Sequence, residues 1–212
     1  MLDPIIALTI ALVAYFIGNC NPSIIISQHR GEDIRNMGSG NAGTTNVVRT
    51  YGWSAGMIVG VVDLLKGIIA AVIGQLCAIA LLGDYLLLTT IAGLAVILGH
   101  IFPALHKFRG GKGVFSAFGF ALVLNWTYAL IALGVFLVTV LISRYVSLGS
   151  IIAIVVFVAI EITSILSAST CPDNIIVALL LVLILGITTW SHRSNITRLL
   201  NRTENKFGQK KA

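Results

Sequence analysis

Lysine and arginine are confined to four stretches, Arg30–Arg49, Lys107–Lys112, Arg144 and Arg193–Lys211, with Lys66 as the one outlier. Between these stretches the chain is apolar over lengths approaching the roughly 20 residues that a membrane-spanning helix needs. Charged residues make up 10% of the chain, against roughly 25% in a soluble domain. Hydrophobic residues make up 57%, and the mean hydropathy is +0.98. This pattern excludes an ordinary soluble domain and predicts an all-α, polytopic transmembrane helix bundle forming one domain over residues 1–212. Under the positive-inside rule the four basic stretches are cytoplasmic. They define loops at about 28–53, 106–113 and 143–150 and a tail at 192–212. The net charge of +6 is thereby explained by topology, and no nucleic-acid partner is expected.

Seven spans follow from this reading. The first runs from about Ile5 to Ser27 and ends at His29-Arg30, which places the N-terminus outside. Met1-Leu2-Asp3 carries no positive charge, so no cleavable signal peptide is expected. Gly18-Asn19-Cys20-Asn21-Pro22-Ser23 interrupts this span with polar groups, which serve either a functional site or helix–helix packing. The second span covers about Ser54–Leu82, the third Leu86–Leu105, and Gly83-Asp84-Tyr85 is the turn between them. Residues 114–142 are bounded by Lys112 and Arg144, both cytoplasmic, so they are expected to cross twice, with Asn125-Trp126 as the outer turn. The remaining spans are Ile151–Ala168, with Glu161 deep inside and read as structural, and Ile175–Ser191, which brings the C-terminus into the cytoplasm. Ser169–Asp173 forms the outer loop between them. Trp53, Trp126 and Trp190 are placed as interfacial anchors.

The polar stretch Gly38-Ser39-Gly40-Asn41-Ala42-Gly43-Thr44-Thr45-Asn46-Val47-Val48-Arg49 stands out against this background. It offers backbone N–H groups, short hydroxyls, amides and a fixed positive charge, the parts that hold a phosphate. Arg30–Arg35, just before it, reads as a solvated connector. Gly110-Gly111-Lys112-Gly113 adds a glycine turn and a point charge. Ser143–Ser150 contributes Ser147 and Ser150, which complete a site or cap the sixth helix. His192 and Asn195 share a face at i, i+3 if the helix continues into the tail, a tail that can also lie along anionic lipid. All four groups fall on the cytoplasmic side, which argues for one site. Asp63 and Lys66 are i and i+3 on one helix face, and Asp63 lies about 15 Å below Trp53 at 1.5 Å per residue. An intramembrane ion pair points to function or to helix orientation, and here the structural reading is preferred.

Several chemistries are excluded. Gly110–Gly113 is no nucleotide-hydrolysing P-loop, because His106 stands where the first glycine belongs and Gly113 where Ser or Thr would hold magnesium. His29, His100, His106 and His192 have no metal-site spacing, so no metal is expected. No Gly-x-Ser-x-Gly elbow occurs. The His-x4-Asp dyad of many acyltransferases is absent, since the residues five after the histidines are Ile34, Leu105, Gly111 and Thr197. Cys20, Cys77 and Cys171 are widely spaced and read as small buried hydrophobes.

Taken together, Gly-Ser-Gly-Asn-x-Gly-x-Thr-Asn-x-x-Arg (38–49), Asp-x-x-Lys-Gly (63–67), Gly-His-x-Phe-Pro (99–103), Gly-Gly-Lys-Gly (110–113), Arg-Tyr-Val-Ser (144–147) and His-Arg-x-Asn-Ile (192–196) occur in the order found in a known family. The chain resembles the acyl-phosphate-dependent glycerol-3-phosphate acyltransferases of bacteria, the PlsY family, over nearly its whole length. One departure lies in the first span, where the family often has Gly-Ser-Ile-Pro and this chain has Gly18-Asn19-Cys20-Asn21-Pro22.

The resemblance implies a seven-helix enzyme of the bacterial inner membrane with its active site toward the cytoplasm. It would transfer an acyl group from acyl phosphate to the 1-hydroxyl of sn-glycerol 3-phosphate, giving lysophosphatidic acid and phosphate, the first step of phospholipid synthesis. The implied partners are these two substrates, membrane lipid and the enzyme that forms the acyl phosphate. No cofactor is expected. Ser39, Gly40, Asn41, Thr45, Asn46, Arg49, Gly110, Gly111, Lys112, Ser147, Ser150 and Asn195 are then candidate phosphate or substrate ligands. His192 is base or ligand, while Asp63, Lys66 and His100 support the site. The reading from another class is a transporter of small phosphorylated metabolites. Against it stand the lack of an internal repeat and the placing of the polar motifs at one surface rather than at the midplane.

Overall fold

The computed structural model describes residues 3–81 and 84–208. Met1, Leu2, Leu82, Gly83 and Gln209–Ala212 lie outside them, including the first residue of the expected Gly83-Asp84-Tyr85 turn and the end of the basic tail. The described residues are helical apart from their connections, and they form two compact units, Met1–Leu124 and Asn125–Ala212.

In the first unit α1 spans Pro4–Asn19, α2 Pro22–His29, α3 Thr44–Tyr51, α4 Trp53–Ala80, α5 Tyr85–Ile101 and α6 Val114–Leu124. The first expected span is therefore two helices. Cys20 is extended, Asn21 caps α2 by accepting from the Ile24 amide at 3.2 Å, and Pro22 takes the first helical position, where its missing N–H costs nothing. Helix α4 is central and packs on α1, α3, α5 and α6. Its outward side carries exposed Ile58, Val61, Leu65, Ile69 and Leu76, while Asp63 and Lys66 are buried. That inverted distribution suits a hydrocarbon surround. Helices α1 and α5 meet through glycine: a Cβ on Gly18 would strike Val96 O, and one on Gly99 would strike Tyr15 O. Such close backbone approach is the usual device for packing helices in lipid.

In the second unit α7 spans Trp126–Ser143, α8 Val146–Ala168, α9 Pro172–Ser191 and α10 Arg193–Leu200. Helix α8 packs on α7 and α9. The expected turn at Asn125-Trp126 is a helix break, with Asn125 capping α7 through the Tyr128 amide at 3.3 Å. The Asn125 side chain also hydrogen-bonds buried Glu161, supplying the partner that the sequence did not name.

Six helical stretches among the described residues are long and apolar enough to cross a membrane: Pro4–His29, Trp53–Ala80, Tyr85–His106, Trp126–Ser143, Val146–Ala168 and Pro172–Ser191. Helix α6, with 11 residues, is apolar but shorter. The cysteine expectation fails: Cys20 and Cys171 are exposed and Cys77 is half-buried. A membrane helix has apolar surroundings outside the protein as well as inside it, so apolar neighbours in sequence do not imply burial.

Candidate functional site

The 28–53 segment is folded rather than loose. Ile34, Ala42 and Val47 are fully buried with Ile24 and Val59, and Met37, Tyr51 and Ala55 pack around them. Arg30, Gly31 and Glu32 are exposed, as expected of a solvated connector, but Ile34 is buried and Asp33 and Arg35 are half-buried. Arg35 forms a short ion pair with Asp33 (2.8 Å), and its other guanidinium nitrogen donates to the carbonyls of His106 (2.9 Å) and Arg109 (3.3 Å). The bond to Arg35 holds the Asp33 carboxyl below its ordinary range. Arg35 thereby docks the 106–109 segment, a role signalled in sequence only by the Asp-x-Arg spacing.

Within 38–49 the donors are distributed differently from the expectation. Asn46 is buried, and its amide donates to Ile34 O (3.2 Å) and Met37 O (2.9 Å) while its oxygen accepts from Ser39 N (2.8 Å). Gly40 N donates to Met37 O at 2.9 Å and Gly43 N to Asn41 O at 3.0 Å. Asn46 and the amides of Ser39 and Gly40 therefore shape the turn instead of facing a ligand. The second half of the stretch is helix α3, not loop. Gly43 at its N-cap has no side chain to cap it, and the first helical amide bond is Asn46 N to Gly43 O, so Thr44 and Thr45 present the open, positive end of α3. Ser39, Asn41 and Thr45 are half-buried near this end of the segment. Arg49 is exposed in the last turn, about 7.5 Å along the axis from Thr44.

The adjacent glycines 110 and 111 also have a packing explanation. Their amides donate to Ile101 O and His100 O, both at 3.1 Å, and so satisfy the carbonyl end of α5. A Cβ on Gly110 would strike His100 O, and one on Gly111 would strike both His100 Nε2 and Ala42 O. These amides are spent on α5, which corrects their expected role as phosphate donors. Lys112, half-buried, follows them directly.

Asp63, Lys66 and His100 form one buried cluster. Lys66 Nζ lies 2.8 Å from Asp63 Oδ1 and donates to Cys20 O (2.9 Å) and Gly18 O (3.2 Å) at the end of α1. His100 Nδ1 lies 3.3 Å from the same Asp63 oxygen. The ammonium thus fills the gap left where α1 stops before Pro22, which accounts for a charge in this setting and supports the structural reading of the pair. Asn19 links α1 to the turn after α5, accepting from Leu105 N at 3.1 Å.

The second unit assembles its own polar group. His192 and Asn195, at the α9–α10 junction, are buried. His192 Nδ1 is 2.8 Å from Thr188 O. A carbonyl only accepts, so Nδ1 carries the hydrogen and Nε2 is the basic nitrogen. Ser147 and Ser150 belong to the first turns of α8, and neither caps it. Ser150 donates to Val146 O at 3.0 Å, which commits its hydroxyl within the helix. Ser147 donates to Glu204 Oε1 at 3.0 Å, and Asn195 donates to the same oxygen at 2.7 Å. Arg198 Nε meets Oε2 at 2.7 Å, and Phe207 N donates to Arg144 O at 2.7 Å. Burial would raise the Glu204 carboxyl, but the bonds from Arg198, Asn195 and Ser147 hold it below its ordinary range. After α10, then, the tail folds back onto residues 144–147 instead of running on along a surface. Glu204 was missed because the tail reads as basic; its being the one carboxylate among those cations was the available signal.

No group of His, Cys, Asp and Glu able to hold a metal occurs among the described residues. What the two units offer is cationic side chains, hydroxyls and amides, an open helix end and a buried imidazole, which is chemistry for binding and placing anions.

The sequence model of the family described as Glycerol-3-phosphate acyltransferase matches residues 8–202. A glycerol-3-phosphate acyltransferase of Clostridioides difficile (strain 630) is 43% identical over 207 residues, covering 95% of this chain and 96% of the relative. One from Thermoanaerobacter sp. (strain X514) is 42% identical over 208 residues, covering 96% and 97%. Among solved structures, the chain is similar to PlsY (YgiH), described as an integral membrane glycerol 3-phosphate acyltransferase. The glycerol 3-phosphate form superposes with a TM-score of 0.82 at 36% identity, covering 95% of this chain and 96% of that one. The lysophosphatidic acid form gives 0.80 at 35% identity, covering 95% of each.

Proposed function

The chain belongs to the glycerol-3-phosphate acyltransferase family, and from that premise we propose that it moves an acyl group from acyl phosphate to the 1-hydroxyl of sn-glycerol 3-phosphate. The hydroxyl oxygen bonds to the acyl carbon, the acyl–phosphate bond breaks, and 1-acyl-glycerol 3-phosphate and phosphate leave. The observation that carries this reading is the match over residues 8–202, together with likeness to a protein solved in its glycerol 3-phosphate and lysophosphatidic acid forms. The protein is a multi-pass integral membrane protein. We assign it seven crossings, with α6 as the short one, an outside N-terminus, a cytoplasmic C-terminus and a site toward the cytoplasm of a bacterial inner membrane. It works as a single acyltransferase domain and receives its donor from an acyl-phosphate-forming enzyme.

Both substrates are phosphates, so much of the work is holding two anions. Arg49 and Lys112 neutralise them, with Ser39, Asn41, Thr45 and the open end of α3 as donors. Ser147 and Asn195, held on Glu204, and Ser150, held on Val146 O, support the site by shaping the start of α8 and the α9–α10 junction. Asn46, Gly40, Gly110 and Gly111 support the site by shaping the backbone. Acyl phosphate is already an activated donor, so no protein nucleophile is required. Holding hydroxyl and carbonyl in near-attack geometry supplies up to roughly 7–11 kcal/mol of the barrier in favourable cases. His192 acts through Nε2 as base or phosphate ligand, and the departing phosphate is an alternative proton acceptor.

The test is purified protein with acyl phosphate and labelled glycerol 3-phosphate, beside parallel reactions with acyl-CoA. Labelled lysophosphatidic acid is expected with acyl phosphate alone. Product from acyl-CoA only would overturn the donor assignment. No product, with exchange of phosphorylated metabolites across vesicles, would return the transporter reading.

A further inference from the structure

Two stretches assigned to phosphate handling, 38–49 and 110–113, are joined beneath their surfaces by a closed circuit of buried contacts. Starting at Lys66, the ammonium holds Cys20 O (2.9 Å). The next residue, Asn21, donates its amide to Ala42 O (3.4 Å). Ala42 O lies against Gly111, where any Cβ would strike it. Gly111 N donates to His100 O (3.1 Å), and the His100 ring closes on the same glycine from below. His100 Nδ1 reaches Asp63 Oδ1 (3.3 Å), and Asp63 returns to Lys66 (2.8 Å). Asn21, Asp63, Lys66 and His100 are all at most 4% exposed.

We propose that the Asp63–Lys66–His100 cluster, through Asn21, is a positioning element that sets the 38–49 segment against Lys112. The cluster touches no substrate itself. Buried ions are costly to keep, and a plain helix contact would need only one link of this circuit. Here one ammonium fixes the chain at Cys20, next to Asn21, and one imidazole, 3.3 Å from the same carboxylate, packs on Gly111, whose amide the His100 carbonyl holds. Both links meet at Ala42, inside the first stretch and next to the second. The inference rests on the acyl-transfer reading for its kinetic consequence and on the contacts alone for its structural one.

The outer tether from Arg35 to His106 and Arg109 is independent of the circuit. It keeps the two stretches attached when the inner link is cut, so a mild variant retains the fold. Asn21→Ser keeps a cap oxygen for α2 but loses the reach to Ala42 O, and Lys66→Met removes the ammonium. In purified protein, amide hydrogen exchange in both 38–49 and 108–113 should rise together, by about tenfold. The KM for glycerol 3-phosphate should rise by about tenfold with kcat per folded molecule nearly unchanged, since weakened placement of binding groups removes uniform binding. If Lys66→Met does not fold, Asn21→Ser decides. Exchange confined to residues 18–24 and 63–66, or coupled exchange with an unchanged KM, would overturn the proposal. A wild-type protein that makes no product would overturn the reaction reading instead, and the exchange measurement would still decide whether the circuit couples the two stretches.

Discussion

Ser147 and Asn195 converge on one oxygen: the hydroxyl of the first and the amide of the second both donate to Glu204 Oε1, at 3.0 and 2.7 Å. Two residues from separate sequence motifs are thereby oriented by a third that belongs to neither. With Arg198 on the other carboxylate oxygen, Glu204 has no spare role at the surface; it organises the junction of α8, α10 and the tail.

Glu204→Gln leaves the shape but removes the charge that Arg198, Asn195 and Ser147 address. Hydrogen bonds to charged groups are worth about 1.5–3 kcal/mol each. The Arg198 side chain is about a third exposed, which places the expected loss near 2 kcal/mol at most. Thermal unfolding in detergent should show a lower melting temperature; an unchanged one would remove Glu204 from this role.

The same carboxyl gives a pH signature. Its folded value is depressed, so its contribution to stability is present above its ordinary value of 4.5. That contribution is lost as pH falls from there through the lower folded value. Wild-type protein should therefore lose stability below pH 4.5 more steeply than Glu204→Gln. Parallel melting curves with the same slope would refute this.

Arg49→Ala and Lys112→Ala should each reduce acyl transfer by roughly 10- to 100-fold, the worth of one charge-assisted contact, while the proteins still insert and purify. Near-normal rates for either variant would strip that residue of its place as a phosphate ligand.

For His192, the kinetic split separates two roles. As general base, His192→Gln should lower kcat by roughly 10²–10⁴. A raised KM for glycerol 3-phosphate with kcat retained would make it a ligand.

Gly111→Ala adds a methyl where His100 Nε2 and Ala42 O already stand. Neither neighbour can yield easily, since His100 is packed on Asp63 and Ala42 is fully buried. Overpacking of this kind costs about 1–3 kcal/mol. Chemical denaturation or thermal melting should register it. A variant as stable as wild type would show that the 110–113 backbone moves freely.

The placing of Lys and Arg and the lengths of the apolar runs were enough to determine an all-α membrane protein and the turn at Asn125, and the ordered polar motifs pointed to the family; the break before Pro22, inside a stretch that reads as one span, came from the structure. The features legible in sequence are local: a charge avoids hydrocarbon whatever its neighbours. Tertiary structure alone decided what each polar residue does. Asn46, Gly110 and Gly111 resemble ligands in sequence, but their hydrogen bonds close turns and cap α5, because a buried amide takes the partner packed against it. Glu204 read as one acid in a basic tail until the fold brought Ser147 and Asn195 to it. Lys66 and Asp63 formed an evident pair three residues apart, yet their purpose depended on Cys20, Asn21 and His100. No periodicity connects those positions, since contacts between distant segments are set by how helices pack and not by their spacing along the chain.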